Sequence, residues 1–262
     1  MSTQDGKWWQ KAWNPIHVKG GGWYCTKCSP GCKNCWCYSY NKRFGNGASF
    51  DDLDFDSDFF PGFELDQRIL EAPFHWRKPQ VIATCWLGDI FHEQIPISFV
   101  DEILEVIRQA KQHAFLVLTK RPQNFSGCDF KNLWLGLSIS IQQEANEKIP
   151  ILLQTPAVHR YVNLEPMLEG IDLTNIGITV ESDYRGLHDL DWVLLGAESG
   201  PGRRPMKLEW ARNIAQQCKA AGIPLWVKQI DINGKVSKKM EEWEPDLRVR
   251  GSGRGNIGAA MP

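Results

Sequence analysis

Five of the chain's eight cysteines lie between residues 25 and 37, in the run Cys25-Thr-Lys-Cys28-Ser-Pro-Gly-Cys32-Lys-Asn-Cys35-Trp-Cys37. No other feature restricts the fold as much. Closely spaced thiolates on a loop that contains Pro30 and Gly31 can converge on one point. As a set they are poorly placed for relaxed disulfides, which need defined separations and directions. A soft metal centre is the natural occupant.

Two spacings coexist in the run. Cys28, Cys32 and Cys35 read C-x3-C-x2-C, the arrangement used by radical S-adenosylmethionine enzymes, and Cys25, Cys32 and Cys35 read C-x6-C-x2-C. Either trio can hold three irons of a [4Fe-4S] cube, leaving the fourth for the amino and carboxylate groups of S-adenosylmethionine. The chemistry of such a site is one-electron cleavage of the sulfonium to a 5'-deoxyadenosyl radical. Cys25, Cys28, Cys32 and Cys35 also form two CxxC pairs, which a tetrahedral structural Zn2+ would accept. The short gap between the pairs is unusual for a zinc ribbon or finger. Cys37, Cys85, Cys128 and Cys218 read as bystanders, small apolar side chains of the interior.

At 262 residues the chain suits one large core, read here as a single βα-barrel domain over residues 1–249 followed by a flexible Gly-rich tail, residues 250–262. The net charge of -1 gives no global case for binding nucleic acid, although a local basic groove is compatible with it. The N-terminus lacks the apolar core of a signal peptide, and no apolar run is long enough to cross a bilayer. The expectation is a cytoplasmic protein without a disulfide framework and without a membrane partner. The 12 tryptophans are expected mostly in the core and its rim, with some free to act as a stacking platform.

Short apolar runs alternate with amphipathic stretches. Gln80–Cys85, Ala114–Thr119, Leu133–Ser138, Arg160–Leu164, Trp192–Gly196 and Pro224–Lys228 read as buried parallel strands. Ser98–His113 and Glu209–Ala221 carry apolar residues at helical spacing. With a strand-like segment at Ile16–Lys19 ahead of the cysteines, the pattern predicts an α/β fold built on a parallel βα barrel, partial or full, of about six to eight strands. The strands exit into polar groups, and in a βα barrel that end binds substrate and cofactor.

The ordered motifs Trp13-Asn-Pro15, Cys25-Thr26, Ser29-Pro-Gly-Cys32-Lys-Asn-Cys35, Asp89-Ile-Phe-His92-Glu93, Leu118-Thr-Lys-Arg121-Pro122, Trp134-Leu-Gly-Leu-Ser138, Leu164-Glu-Pro166, Gly196-Ala-Glu-Ser-Gly-Pro201 and Arg204-Pro-Met206 resemble the phage-associated three-cysteine-motif proteins. That family is radical-SAM-like, found in phages, prophages and bacteria, and of uncertain function. The resemblance spans Trp13 to Gln229 and implies that Cys25, Cys32 and Cys35 form the trio. Cys28 departs from the pattern, standing where an apolar residue is usual.

The strand-end residues then divide into candidates. Asp89, His92 and Lys120 are placed for proton handling or catalysis. Ser138, Glu165, Glu198, Ser199, Arg204 and Lys228 are placed to bind S-adenosylmethionine. Lys120, Arg121, Arg203, Arg204 and Lys228 make the same face locally basic, suiting a carboxylate, a phosphate or a nucleic-acid backbone. Two readings of function follow. One is a radical SAM enzyme with a nucleotide or nucleic acid as substrate, the class that a phage setting implies. The other is a non-catalytic zinc or iron-sulfur protein that binds nucleic acid or a protein partner.

Overall fold

The computed structural model describes residues 7–45, 61–176, 186–254 and 257. Its centre is an eight-stranded sheet. In chain order the strands are β1 (Lys11–Trp13), β2 (Ile16–Val18), β3 (Phe63–Leu65), β4 (Val81–Thr84), β5 (Ala114–Thr119), β6 (Leu133–Ser138), β7 (His159–Leu164), β8 (Trp192–Gly196), β9 (Leu225–Ile232) and β10 (Lys235–Ser237). The main sheet runs β1-β4-β5-β6-β7-β8-β9-β10, parallel throughout except for the antiparallel β10 at its edge. The six predicted strands are β4 to β9. They are buried on both faces, which is why they read as unbroken apolar runs.

The strand expected at Ile16–Lys19 forms, but not in the main sheet. β2 pairs antiparallel with β3 in a separate ribbon, and the parallel strand ahead of the cysteine loop is β1 instead. Asn14-Pro15 divides the two, and proline cannot donate a ladder hydrogen bond.

Helices α1 (Trp36–Phe44), α2 (Gln67–Leu70), α3 (Ile97–Gln109), α4 (Gln142–Gln154) and α5 (Leu208–Ala221) connect the strands. α3 buries Val100, Ile103, Val106 and Ile107, and α5 buries Ala211, Ile214 and Cys218, in one core with Ile82, Phe115, Val117 and Val193 from the sheet. α5 ends at Gly222, whose left-handed φ of 64° lets its N–H reach the carbonyls of Cys218 and Lys219.

The other face of the sheet is filled by aromatic rings. Val81, Leu116, Trp134, Tyr161, Trp192 and Trp226, from six successive strands, share one cluster with Trp8 and Ile257. The Trp8 ring lies 4.9 Å from Trp86, just after β4, and 5.2 Å from Trp192 on β8. In a flat sheet those strands would stand about 19 Å apart. The sheet therefore curls around Trp8.

Gly136 lets Tyr161 lie across this interior. A Cβ there would come within 2.0 Å of the Tyr161 ring, whose hydroxyl donates to the Val117 carbonyl at 3.1 Å. Gly136→Ala should cost about 1–3 kcal/mol by overpacking, measured as a lowered urea midpoint; an unchanged midpoint would show that the ring can move aside.

The stretch expected as a flexible tail is anchored where it is described. Gly251 donates its N–H to the Leu225 carbonyl at 2.7 Å and accepts from Trp192 Nε1 at 2.8 Å, Gly253 packs against Trp134, and Ile257 is buried. The absence of large side chains, which suggested mobility, is what allows backbone to approach the tryptophans.

Candidate active site

A cavity of about 650 Å³ opens over the C-terminal ends of the strands. β5 leads into Lys120 and Arg121, β6 ends in Ser138, β7 contributes Asn163 and leads to Glu165, β8 leads to Ala197, Glu198 and Ser199, and β9 carries Lys228. Cys25, Cys32, Cys35 and Cys37 also line the cavity. Trp8 and Trp86, which belong to the aromatic cluster inside the curl, form its floor with Trp9. Of the candidates from sequence, Cys25, Cys32, Cys35, Asp89, Lys120, Ser138, Glu165, Glu198, Ser199 and Lys228 meet here, whereas Cys28, His92 and Arg204 do not line it.

Cys25 and Cys37 donate their thiols to the backbone carbonyls of Thr26 and Trp86, at 3.6 Å and 3.2 Å, and neighbouring thiols shift one another's titration. Exposed Cys28, the largest influence on Cys32, holds that thiol below its ordinary pKa against its burial, with Lys120 helping. The neighbouring Cys37 draws Cys35 down to about 7, again against burial. Burial pushes Cys25 up to about 12, with Asp89 adding to the rise and Arg121 opposing it. Cys37 is therefore no bystander: it is buried, faces the cavity, lowers the titration of Cys35 and donates its thiol to the Trp86 carbonyl at 3.2 Å. As the side chains stand, no three Cys, His, Asp or Glu groups among the described residues are already drawn in as a metal site. The donor set nonetheless suits a soft centre, because four thiols, Cys25, Cys32, Cys35 and Cys37, share one cavity with cationic Lys120 and Arg121.

Three clamps fix the cysteine loop to the strand ends. At its start, Arg121 donates to the Thr26 hydroxyl at 2.6 Å and the Thr26 carbonyl at 3.3 Å, while Nε reaches Glu93 at 2.8 Å and Nη1 reaches Asp89 at 3.3 Å. Asp89 is saturated, since it also accepts from Thr119 Oγ1 at 2.7 Å and from the N–H groups of Lys120 at 3.0 Å and Phe91 at 3.1 Å. Its carboxylate is thus a buttress beneath the cavity wall. In the middle, Ser29 stands near buried Glu144 at the start of α4 and helps hold its carboxyl below the ordinary value against burial, and Gly31 lies so close to Ser140 that a side chain would collide with it. At the far end, Glu198 accepts from Arg204 N at 2.6 Å, Arg204 Nε at 2.9 Å and Asn34 Nδ2 at 3.0 Å, and Arg204 Nη1 donates to the Pro30 carbonyl at 2.9 Å. Burial would raise the Glu198 carboxyl, but these bonds, led by Arg204, hold it below its ordinary value.

His92 sits behind the wall. Its Nδ1 accepts from Gln94 N–H at 3.1 Å, which leaves the proton on Nε2, 2.8 Å from the Thr26 hydroxyl. Burial and then Arg121 hold this imidazole below its ordinary pKa, so it is neutral and positions Thr26.

Two lysines remain on the cavity wall with short partners. Lys120 Nζ donates to Ser138 Oγ at 2.6 Å, and Lys228 Nζ pairs with Glu165 Oε1 at 2.5 Å. Sequence reasoning missed Trp8, Trp9, Trp86, Asn163 and the clamp residues Asn34 and Glu144. Tryptophan and asparagine carry no spacing signal of their own, and Asn34 and Glu144 meet partners more than 100 residues away in sequence.

No curated protein and no solved structure matches the chain. Residues 4–250 match one family, and the chain belongs to it: the family described as "Protein of unknown function (DUF5131)".

Proposed function

We propose that the chain is a radical SAM-type enzyme in which Cys25, Cys32 and Cys35 hold a [4Fe-4S] cluster. The observation that carries this reading is that these three thiols, and not Cys28, line the same cavity as the polar ends of β5 to β9. We infer, too, that the curled sheet is a partial βα barrel, open between its edge strands β1 and β10, with the aromatic cluster filling one end and the cavity at the other. When bound, the cluster and S-adenosylmethionine together supply one-electron cleavage of the sulfonium and a 5'-deoxyadenosyl radical.

The chain's own residues do the holding. Glu165 and Ser138 offer acceptors to the cofactor's ammonium and ribose hydroxyls, and Lys120 and Lys228 offer cations to its carboxylate. Ser199 adds a hydroxyl on the same wall. Glu198 and Arg204 act through the loop they clamp, and Trp8, Trp9 and Trp86 give the cavity an apolar floor that limits water. A volume of about 650 Å³ is ample for a nucleoside cofactor. The eight cysteines are free thiols, which suits the reducing cytoplasm, and no helix of the described residues is long and apolar enough to cross a membrane.

The test is whether reduced, cluster-loaded protein releases methionine and 5'-deoxyadenosine from S-adenosylmethionine. Glu165→Ala should weaken cofactor binding about 10-fold or more by calorimetry, as expected for losing a charged hydrogen-bond acceptor, while the surface change Glu241→Ala should not. An intact reduced cluster that neither binds nor cleaves S-adenosylmethionine would overturn the enzyme reading. One zinc per chain and no iron after anaerobic reconstitution would replace it with a structural metal site.

A further inference from the structure

Charge is segregated along this chain. Residues 7–45 carry seven lysine and arginine side chains and no aspartate or glutamate, although the whole chain has a net charge of -1. The same stretch is rich in aromatic residues, and part of it forms an exposed ladder on α1. Trp36, Tyr40 and Phe44 fall four residues apart on one helix face and are 51%, 37% and 58% exposed. Their ring centres are 6.0 Å and 4.8 Å apart in sequence, and the Arg43 guanidinium lies 5.0 Å over Phe44. Arg43 thus flanks the ladder, and Lys33 and Lys42 are exposed in the same stretch, Lys42 on another face of the helix.

The ladder leads into the cavity, because Trp36 and Lys27 line its wall. The cavity itself carries six cations, Lys7, Lys27, Lys120, Arg121, Lys228 and Lys238, against the carboxylates of Asp89, Glu165 and Glu198. Each of those carboxylates is already paired, with Arg121, Lys228 and Arg204 in turn. An occupant therefore meets excess positive charge. Protein-protein interfaces bury apolar surface from which lysine is depleted, whereas flat rings interleaved with cations suit stacked bases joined by phosphates. The ladder spans about 12 Å along the helix, room for two or three bases.

We propose that α1 and the mouth of the cavity form a binding track for single-stranded nucleic acid, which delivers one nucleotide toward the thiols. The proposal rests on reading the cavity as the reaction chamber. Bases stack on Trp36, Tyr40 and Phe44, and Lys33, Lys42 and Lys27 neutralise the backbone.

Fluorescence anisotropy of a labelled mixed-base 12-mer with cluster-loaded protein tests it, using DNA, RNA and duplex arms across a salt series from about 50 mM upward. Binding of the DNA or the RNA single strand, falling steeply with salt and tighter than the duplex, is expected. Trp36→Ala combined with Phe44→Ala should weaken it at least about 10-fold, Lys33→Gln combined with Lys42→Gln should flatten the salt slope, and Phe74→Ala on another surface should change nothing. No single-strand binding at about 50 mM salt, equal or tighter duplex binding, or an unaffected aromatic double variant would overturn the track. So would self-association by light scattering that the aromatic variant abolishes while no oligonucleotide binds. The assay needs no turnover, so binding without S-adenosylmethionine cleavage sinks only the enzyme reading, and cleavage without binding sinks only the track.

Discussion

Cys32→Ala and Cys35→Ala are each expected to abolish cluster binding, leaving colourless protein where the parent, reconstituted without oxygen, carries about four irons per chain. Each belongs to both possible trios, so either change leaves too few thiolates. Cys25→Ala should be equally destructive and Cys28→Ala should retain the iron, because Cys25 lines the cavity and Cys28 stands outside it. Iron analysis and visible absorbance read the result. Loss of metal in all four variants would instead indicate a four-thiolate site, which leaves no open iron for S-adenosylmethionine.

The second large effect is expected at Arg121. Its side chain and that of Asp89 are 4% and 6% exposed, and the guanidinium also holds Glu93 and Thr26. Arg121→Ala strands a buried carboxylate without its counter-charge, which costs about 3–5 kcal/mol. Urea denaturation of the metal-free protein should show that loss, and iron retention should fall with it because Thr26 adjoins Cys25. Arg121→Lys should recover part of the stability but less of the loop's hold, since an ammonium cannot form the same forked set of bonds. A loss below about 1 kcal/mol in Arg121→Ala would mean that the carboxylates find other partners.

The parallel strands were legible because burial on both faces leaves runs such as Ala114–Thr119 with no polar alternation, and β5, β6 and β8 begin and end where the sequence places them. β1 and β10 were not, being three-residue edge strands whose pairing supplies what their composition does not. α4 was hidden by Pro150 within it and by a polar first turn. At the site, the convergence of strand ends was legible from parallel topology alone. The division of labour among them was not. Asp89 and Glu198 look alike in sequence to Glu165, and only the number of donors around each separates a buttress from a group able to serve a ligand.

The clamps also impose an order in time. The thiols are translated near the start, whereas Glu144 and the Glu198–Arg204 pair that secure their loop follow more than 100 residues later. At ordinary elongation rates that interval is roughly ten to thirty seconds. Ile257, which shares the aromatic cluster with Trp8, is later still. A nascent chain thus displays unsecured cysteines until its far end has been made, and the thiols are most open to oxidation while synthesis is still under way.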